Sequence, residues 1–159
     1  MDISLYQKQY DFFYGLETEY CVMDKGRRTG FTHGAAIFYI IESFNTLDSL
    51  LFLWVDTVYT NIDRYVERYF LPILKQFPSN LWHWGQSKKE LKINNVRIDF
   101  RSADRPENIE GFSYHKILLN EAGIILKGDK GRYLWNNALL PMTMDYDDCV
   151  CYIGGTPKG

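Results

Sequence analysis

Cations, glycines and hydroxyl residues are concentrated in the segment KGRRTGFT, residues 25–32. Glycines allow the backbone to turn tightly, so that its N–H groups can surround an anion. Lys25, Arg27 and Arg28 add positive charge, and Thr32 adds a hydroxyl that can hold a magnesium ion. A β-prone run precedes the segment and an apolar helical run follows it, and the start of that helix favours anions as well. The segment therefore predicts a phosphate site, with an ordinary basic turn as the alternative.

The segment departs from the usual phosphate-loop pattern, G-x-x-x-x-G-K-[ST]. With Gly30 and Thr32 aligned to the last glycine and the hydroxyl, Phe31 takes the place of the lysine and Lys25 that of the first glycine. A lysine at the start of the loop can fold its four-carbon side chain back to the β- and γ-phosphates. On this interpretation the nucleotide-binding residues of the loop are Lys25, Gly26, Arg27, Arg28, Thr29, Gly30, Phe31 and Thr32.

A second polar corner ends the apolar run in KILLNEAG, residues 116–123. The common form of such a corner is Asp-Glu, in which the first residue steadies Mg²⁺ through water and the second polarises the attacking water. Glu121 stands at the position of that base. Asn120 lacks the charge of an aspartate but keeps a carbonyl oxygen that can orient a metal-bound water. The alternative is a strand that ends in a solvated Asn–Glu pair.

A third corner is the segment IGGTPKG, residues 153–159. Thr156 can hydrogen-bond the γ-phosphate or the water that attacks it. Gly154 and Gly155 allow a strained turn and a close backbone approach. A routine Gly-Pro loop is the alternative.

Near the N-terminus, YQKQYDFF offers Gln9 together with Tyr6. A glutamine amide has both a donor and an acceptor, so it can read N6 and N7 of adenine together. A solvated helix face is the alternative for this segment.

The elements around these corners are predicted to alternate. Helices are predicted at 5–15, 32–44, 61–77 (kinked at Pro72) and 131–142, strands at 19–24, 49–57, 114–123 and within 147–159, and a hairpin at 89–104 that turns at Asn94-Asn95. This order predicts an α/β fold with a mainly parallel central sheet flanked by helices. In such sheets ligands bind at the carboxyl edge, where the three polar corners would converge.

Composition narrows the class of protein further. The chain has 159 residues, which is the length of one domain. Its net charge of −2 gives no indication of a nucleic-acid-binding surface. No apolar run approaches the roughly 20 residues of a membrane span, and the N-terminus lacks the order of a signal peptide. Cys21, Cys149 and Cys151 form no even framework, which favours reduced thiols in a cytosolic protein.

In this order along the chain, YQKQYDFF, KGRRTGFT, RSADRPENIEGF, ILLNEAG and GGTPKG resemble the motifs of the ATPase domain of the large terminase subunit of tailed bacteriophages. The resemblance implies a P-loop NTPase of the ASCE type that binds ATP and Mg²⁺. Several terminases carry the phosphate-loop lysine at the start of the loop, which implies that Lys25 replaces the lysine missing at Phe31.

The resemblance also implies a role for each candidate residue. Lys25, Glu121, Thr156 and an arginine would be catalytic, Thr32 and, through water, Asn120 would hold magnesium, and Tyr6 and Gln9 would hold adenine. The family often has an arginine just before the glycine of the IEG stretch, where it acts on the phosphate of a neighbouring subunit. That position is Glu110 here, so Arg105 and Arg101 are the nearest candidates for the arginine.

By the same resemblance the partners would be double-stranded DNA, the small terminase subunit and further copies of the chain in a ring on a portal, with no membrane, in the host cell cytoplasm. Residues 1–159 would be a motor domain truncated at its C-terminal end, without the nuclease domain. Three alternatives stay open: a nucleotide-binding module without turnover, a helicase-like translocase, and a plain interaction domain.

Overall fold

The computed structural model describes residues 4–15, 18–24 and 30–155. Its strands are β1 (Tyr20–Asp24), β2 (Leu51–Asp56), β3 (Trp82–Gly85), β4 (Glu90–Ile93), β5 (Val96–Ser102), β6 (Lys116–Leu119) and β7 (Val150–Gly155). They form one sheet in the order β1-β7-β6-β2-β5-β4-β3. The first five strands in this order run parallel to one another, and β4 and β3 extend the sheet with antiparallel pairs. The predicted α/β fold with a mainly parallel sheet is therefore confirmed.

Helices connect the strands: α1 (Gln7–Tyr14), α2 (Phe31–Asn45), α3 (Tyr59–Tyr65), α4 (Leu71–Leu74), α5 (Ala122–Ile125), α6 (Gly128–Tyr133) and α7 (Leu140–Met142). Two π-helical segments, Val66–Phe70 and Leu134–Leu139, join α3 to α4 and α6 to α7. A proline follows closely behind each segment, Pro72 in α4 and Pro141 in α7. Because a proline ring clashes with the carbonyl four residues earlier, a wider turn just before it relieves the clash. The irregularity predicted at Pro72 thus takes the form of a π-helical segment.

The sheet separates two apolar clusters. One face packs an aromatic-rich cluster beneath α1, α2 and the α3–α4 region, and the other packs a more aliphatic cluster beneath α5 and α7. Residues of β2 alternate between them: Phe52 and Trp54 join the aromatic cluster, whereas Leu53 and Val55 join the other. Because β2 is covered on both faces, its sequence is the continuous apolar run expected of a central parallel strand.

The predicted hairpin is confirmed. β4 and β5 pair antiparallel with Ile93 opposite Val96, and Asn94 has a φ of 52° in the two-residue turn. Asparagine is one of the residues that tolerates this left-handed conformation. The sequence did not predict β3 or α5, and the strand expected over 114–123 is shorter because it ends at Leu119.

Within the described ranges, no helix has the length and apolar character needed to cross a membrane. Cys21, Cys149 and Cys151 are free and buried, in agreement with the predicted reduced thiols.

Candidate nucleotide-binding site

The parallel strands end side by side at one edge of the sheet. In the register, Asp24 at the end of β1 lies opposite Gly155 of β7. Leu119, the last residue of β6, lies opposite Ile153 of β7 and, on its other side, Val55 of β2. Asn120, which follows Leu119, and Asp56, which follows Val55, therefore lie at this same edge of the sheet. The loop residues Lys25, Gly26, Arg27, Arg28 and Thr29, and Thr156, lie outside the described residues, and their roles stay predictions.

A side-chain hydrogen bond joins two of the predicted corners. The hydroxyl of Thr32, in the first turn of α2, donates to Oδ1 of Asn120 at 3.1 Å, across 88 residues of sequence. Asn120 is fully buried, and Thr32 is partly buried. The two residues predicted to hold magnesium thus meet in the structure.

An acidic residue that the sequence did not single out lies behind Asn120. Asp56, the last residue of β2, is fully buried, and its Oδ2 accepts a hydrogen bond of 2.9 Å from Nδ2 of Asn120. Trp54 Nε1 donates to the same oxygen at 3.3 Å, and the backbone N–H of Thr57 donates to Oδ1 at 2.8 Å. The signal in the sequence is a lone carboxylate at the end of the apolar run LLFLWVD.

Glu121 follows Asn120 with a left-handed backbone, φ 63° and ψ 50°. For a residue other than glycine this conformation costs of order 1–3 kcal/mol, and such residues cluster at functional sites. The carbonyl of Glu121 accepts hydrogen bonds from the backbone N–H groups of Ile124 and Ile125, at 2.9 and 3.0 Å, which hold the turn. The strained turn coincides with the residue predicted to be the general base.

Tyr65 lies near this corner. Burial raises the pKa of its phenol, and the carboxylates of Asp56 and Glu121 raise that pKa further. Tyr65 therefore stays a neutral hydroxyl beside the two acids.

The side chain of Phe31 belongs to the core and not to the candidate site. It is 2% exposed and packs against the rings of Phe12 and Phe13, with centroids 5.8 and 5.9 Å away. A Cβ added to Gly154 would lie 2.3 Å from Cε1 of Phe31, so Gly154 leaves the space that the ring occupies.

Gly154 and Gly155 do not form the strained turn that two glycines would allow. Both residues lie in β7, and neither has a positive φ. The close approach that glycine allows does occur at Gly154, where the group packed against its backbone is the ring of Phe31.

Gln9 lies between the N-terminus of α1 and the end of the phosphate-loop segment. It is 3% exposed; its Oε1 accepts from the N–H of Tyr6 at 2.9 Å, and its Nε2 donates to the carbonyl of Gly30 at 2.8 Å. Gly30 has a φ of 65°, and a Cβ on Gly34 would lie 2.8 Å from Cδ of Gln9. Gln9 thus ties α1 to the start of α2. Since an amide has further hydrogen-bonding positions, adenine recognition by Gln9 and the exposed Tyr6 stays a prediction.

The two arginine candidates differ in their surroundings. Arg101 is 14% exposed, and its guanidinium donates to the carbonyls of Phe100 and Lys88, at 2.8 and 3.2 Å. Arg105 is exposed and lies beyond the carboxyl end of β5, which is the edge that carries the other candidates. The structure therefore favours Arg105 as the arginine that can reach another molecule.

The oxygen groups that meet at this corner are of the kind that binds magnesium. The hydroxyl of Thr32, the amide oxygen of Asn120 and, behind it, the carboxylate of Asp56 are hard oxygen groups. Magnesium prefers such groups and usually keeps several waters, being bound by one or two protein groups plus substrate phosphates. In the part of the chain that the structure describes, no cluster of three or more His, Cys, Asp or Glu residues is arranged as a metal cage.

Solved structures with this fold include large terminases of several phages. The HK97 bacteriophage large terminase has a TM-score of 0.74 at 15% identity, over 96% of this chain and 33% of that one. The large terminase ATPase domain of Thermus phage P74-26 has a TM-score of 0.72 at 20% identity, over 98% of this chain and 66% of that one. The large terminase of another thermophilic bacteriophage, in complex with ADP, has a TM-score of 0.68 at 12% identity, over 96% of this chain and 39% of that one.

These likenesses confirm, at the level of the fold, the resemblance to large terminases stated from the motifs. The chain spans from about a third to about two thirds of the length of the three structures. No family model matches the chain, and no curated protein matches it in sequence.

Proposed function

We propose that this chain is the ATP-hydrolysing motor domain of a viral terminase, in which ATP hydrolysis drives double-stranded DNA into a procapsid. The observation that carries the proposal is the hydrogen bond from Thr32 to Asn120, which joins the hydroxyl of the phosphate-loop segment to the predicted magnesium corner. The strained backbone of Glu121 beside it and the fold shared with terminase ATPase domains support the same conclusion. We further assign the sheet to the ASCE type of P-loop NTPase; the support is that β7 lies between β1 and β6.

In this proposal, catalysis rests on positioning and charge neutralisation. Lys25 and the amides of the loop hold the phosphates, and Tyr6 and Gln9 hold adenine. Thr32 and, through water, Asn120 hold magnesium, which when bound neutralises charge on the β- and γ-phosphates. Glu121 accepts the hydrogen bond of the attacking water and polarises it.

Thr156 and Arg105 have two further roles, one in coupling hydrolysis to movement and one in catalysis. Thr156 contacts the γ-phosphate and transmits its loss to the part of the motor that grips DNA. Arg105 of a neighbouring copy stabilises the charge that develops on the phosphate during transfer. The expected assembly is a ring of copies on a portal, with the small terminase subunit as a partner, in the host cell cytoplasm.

The test of this function is Glu121→Gln. We expect the variant to bind a non-hydrolysable ATP analogue with magnesium as the wild type does, while its ATP turnover falls by about 10²- to 10⁴-fold, the usual contribution of a general base. Glu107→Gln is a matched control, because Glu107 is exposed in the turn after β5 and should keep full turnover. Normal hydrolysis by Glu121→Gln would exclude the proposed role of this residue.

A nucleotide-binding module without turnover is the second candidate, and Asn120 is the observation that favours it. An amide in place of a carboxylate removes the charge that usually steadies magnesium. Wild-type protein that binds the analogue but hydrolyses no ATP, even at high protein concentration, would support this candidate over the motor.

A further inference from the structure

We infer that Asp56 is a positioning residue for magnesium, which fixes the orientation of the Asn120 amide and supplies the negative charge that position 120 lacks. The inference rests on the nucleotide site proposed above. Asp56 belongs to none of the motifs identified in the sequence, and it reaches the site because β2 is the neighbour of β6 in the sheet.

The orientation of the amide follows from the donors around Asp56. An ionised carboxylate can only accept hydrogen bonds, whereas an amide has a donor end and an acceptor end. Oδ2 of Asp56 accepts from Asn120 and from Trp54, and Oδ1 accepts from the backbone of Thr57. Asn120 must therefore turn its NH₂ group toward Asp56. This leaves its carbonyl oxygen on the side of Thr32, where a metal-bound water needs an acceptor.

Reversing the amide would replace favourable contacts with repulsive ones. Oδ1 of Asn120 would then face Oδ2 of Asp56, at the position where the hydrogen bond now measures 2.9 Å. Both residues are fully buried, so water does not screen this repulsion. The buried carboxylate thus selects one of the two orientations of the amide.

The charge of Asp56 also reaches the metal corner through the amide. A hydrogen bond from the NH₂ group to a carboxylate polarises the amide and makes its carbonyl oxygen a stronger acceptor. Partners of this kind, behind the groups that face a metal, typically change metal affinity by about 10- to 100-fold when they are removed. A neighbouring strand thus provides a carboxylate where the strand that carries Asn120 does not.

The experiment compares wild type, Asp56→Asn, Asn120→Asp and the double swap Asp56→Asn/Asn120→Asp. For each, the affinity for a non-hydrolysable ATP analogue is measured with magnesium and again with EDTA. In Asp56→Asn the new amide accepts from Thr57 with its oxygen and presents NH₂ to Asn120, which then turns its own carbonyl away from Thr32. We expect affinity with magnesium to fall by about 10- to 100-fold and affinity in EDTA to change little.

The double swap keeps one carboxylate and one amide at the two positions. The amide that it introduces at position 56 can donate to the carboxylate at position 120, while the long bond from Trp54 loses its acceptor. We expect the double swap to regain most of the magnesium-dependent affinity. Asn120→Asp alone places two buried carboxylates within hydrogen-bonding distance of each other, and we expect it to unfold at a lower temperature than the double swap.

Asp99→Asn is the matched control. Asp99 is also fully buried and accepts hydrogen bonds, from Tyr114 and Arg97, but it lies in β5 away from the candidate site. We expect Asp99→Asn to lower thermal stability without changing the ratio of the two affinities. A purely structural role for Asp56 predicts the same behaviour for Asp56→Asn.

The outcomes separate this inference from the proposed function. Suppose that wild type binds the analogue and needs magnesium to do so. If Asp56→Asn then shows no magnesium-specific loss of affinity, or the double swap shows no recovery, the inference is overturned and the nucleotide site remains. Wild-type protein that binds no analogue under either condition overturns both. If Asp56→Asn does not fold, the double swap decides, because a folded double swap that has lost magnesium-dependent binding contradicts the inference.

Discussion

At positions 31 and 120 the chain departs from the usual phosphate-site pattern, and the two side chains have opposite surroundings in the structure. The ring of Phe31 is buried in the core, where it packs against α1 and β7. The side chain of Asn120 has stayed at the sheet edge and is hydrogen-bonded to Thr32 in front and Asp56 behind. Phe31 therefore contributes to the stability of the fold. Asn120 depends on Asp56 of a neighbouring strand for its orientation, and we expect it to affect ligand binding.

This difference predicts that restoring the usual lysine at position 31 damages the protein. Phe31→Lys removes a buried ring and brings a charge into an apolar cluster. We expect the free energy of unfolding to fall by about 3 to 5 kcal/mol, as it does for loss of a buried aromatic ring. Chemical denaturation measures this change, and His33→Lys, at an exposed position of the same helix, is the control. A Phe31→Lys protein as stable as the control would mean that the ring does not contribute to the core.

Gly154 allows the packing of the Phe31 ring to be tested from the other residue of the contact. Gly154→Ala places a methyl group against the Phe31 ring, and we expect a destabilisation of about 1 to 3 kcal/mol from overpacking. Gly155→Ala is the matched control, because its added Cβ would meet its nearest atom, the backbone nitrogen of Gly123, at 3.5 Å, an ordinary contact.

The cause is tested by a double variant. Phe31→Leu should relieve much of the effect of Gly154→Ala, so that the two changes are not additive. Equal destabilisation by Gly154→Ala in the presence and absence of the Phe31 ring would contradict the packing described here.

Much of the fold was predictable because its signals are local. The apolar run of β2, the apolar helix that follows Gly30 and the asparagine pair of the hairpin each specify their own element. The position of Asn120 at the carboxyl edge of the sheet, near Thr32, followed from a general rule about parallel sheets. β3 and α5 were not predicted, because each has four residues and a segment so short shows too little hydrophobic periodicity to be recognised.

What could not be predicted depends on which elements become neighbours. Asp56 ends its strand like any solvated carboxylate in the sequence, and only the pairing of β2 with β6 brings it behind Asn120. The direction of the Phe31 ring is likewise decided by Gly154, more than a hundred residues further along the chain. Sequence spacing therefore identified the residues at the ends of strands but not the contacts that orient them.

The most direct test of the nucleotide site is titration calorimetry of wild type and Lys25→Ala with magnesium and a non-hydrolysable ATP analogue. We expect wild type to bind and Lys25→Ala to lose at least about tenfold in affinity, since a charge-assisted contact with phosphate contributes roughly 1.5–3 kcal/mol. Binding that Lys25→Ala leaves unchanged would contradict the assignment of the phosphate contact to a lysine at the start of the loop. Wild-type protein that does not bind would contradict the nucleotide site itself.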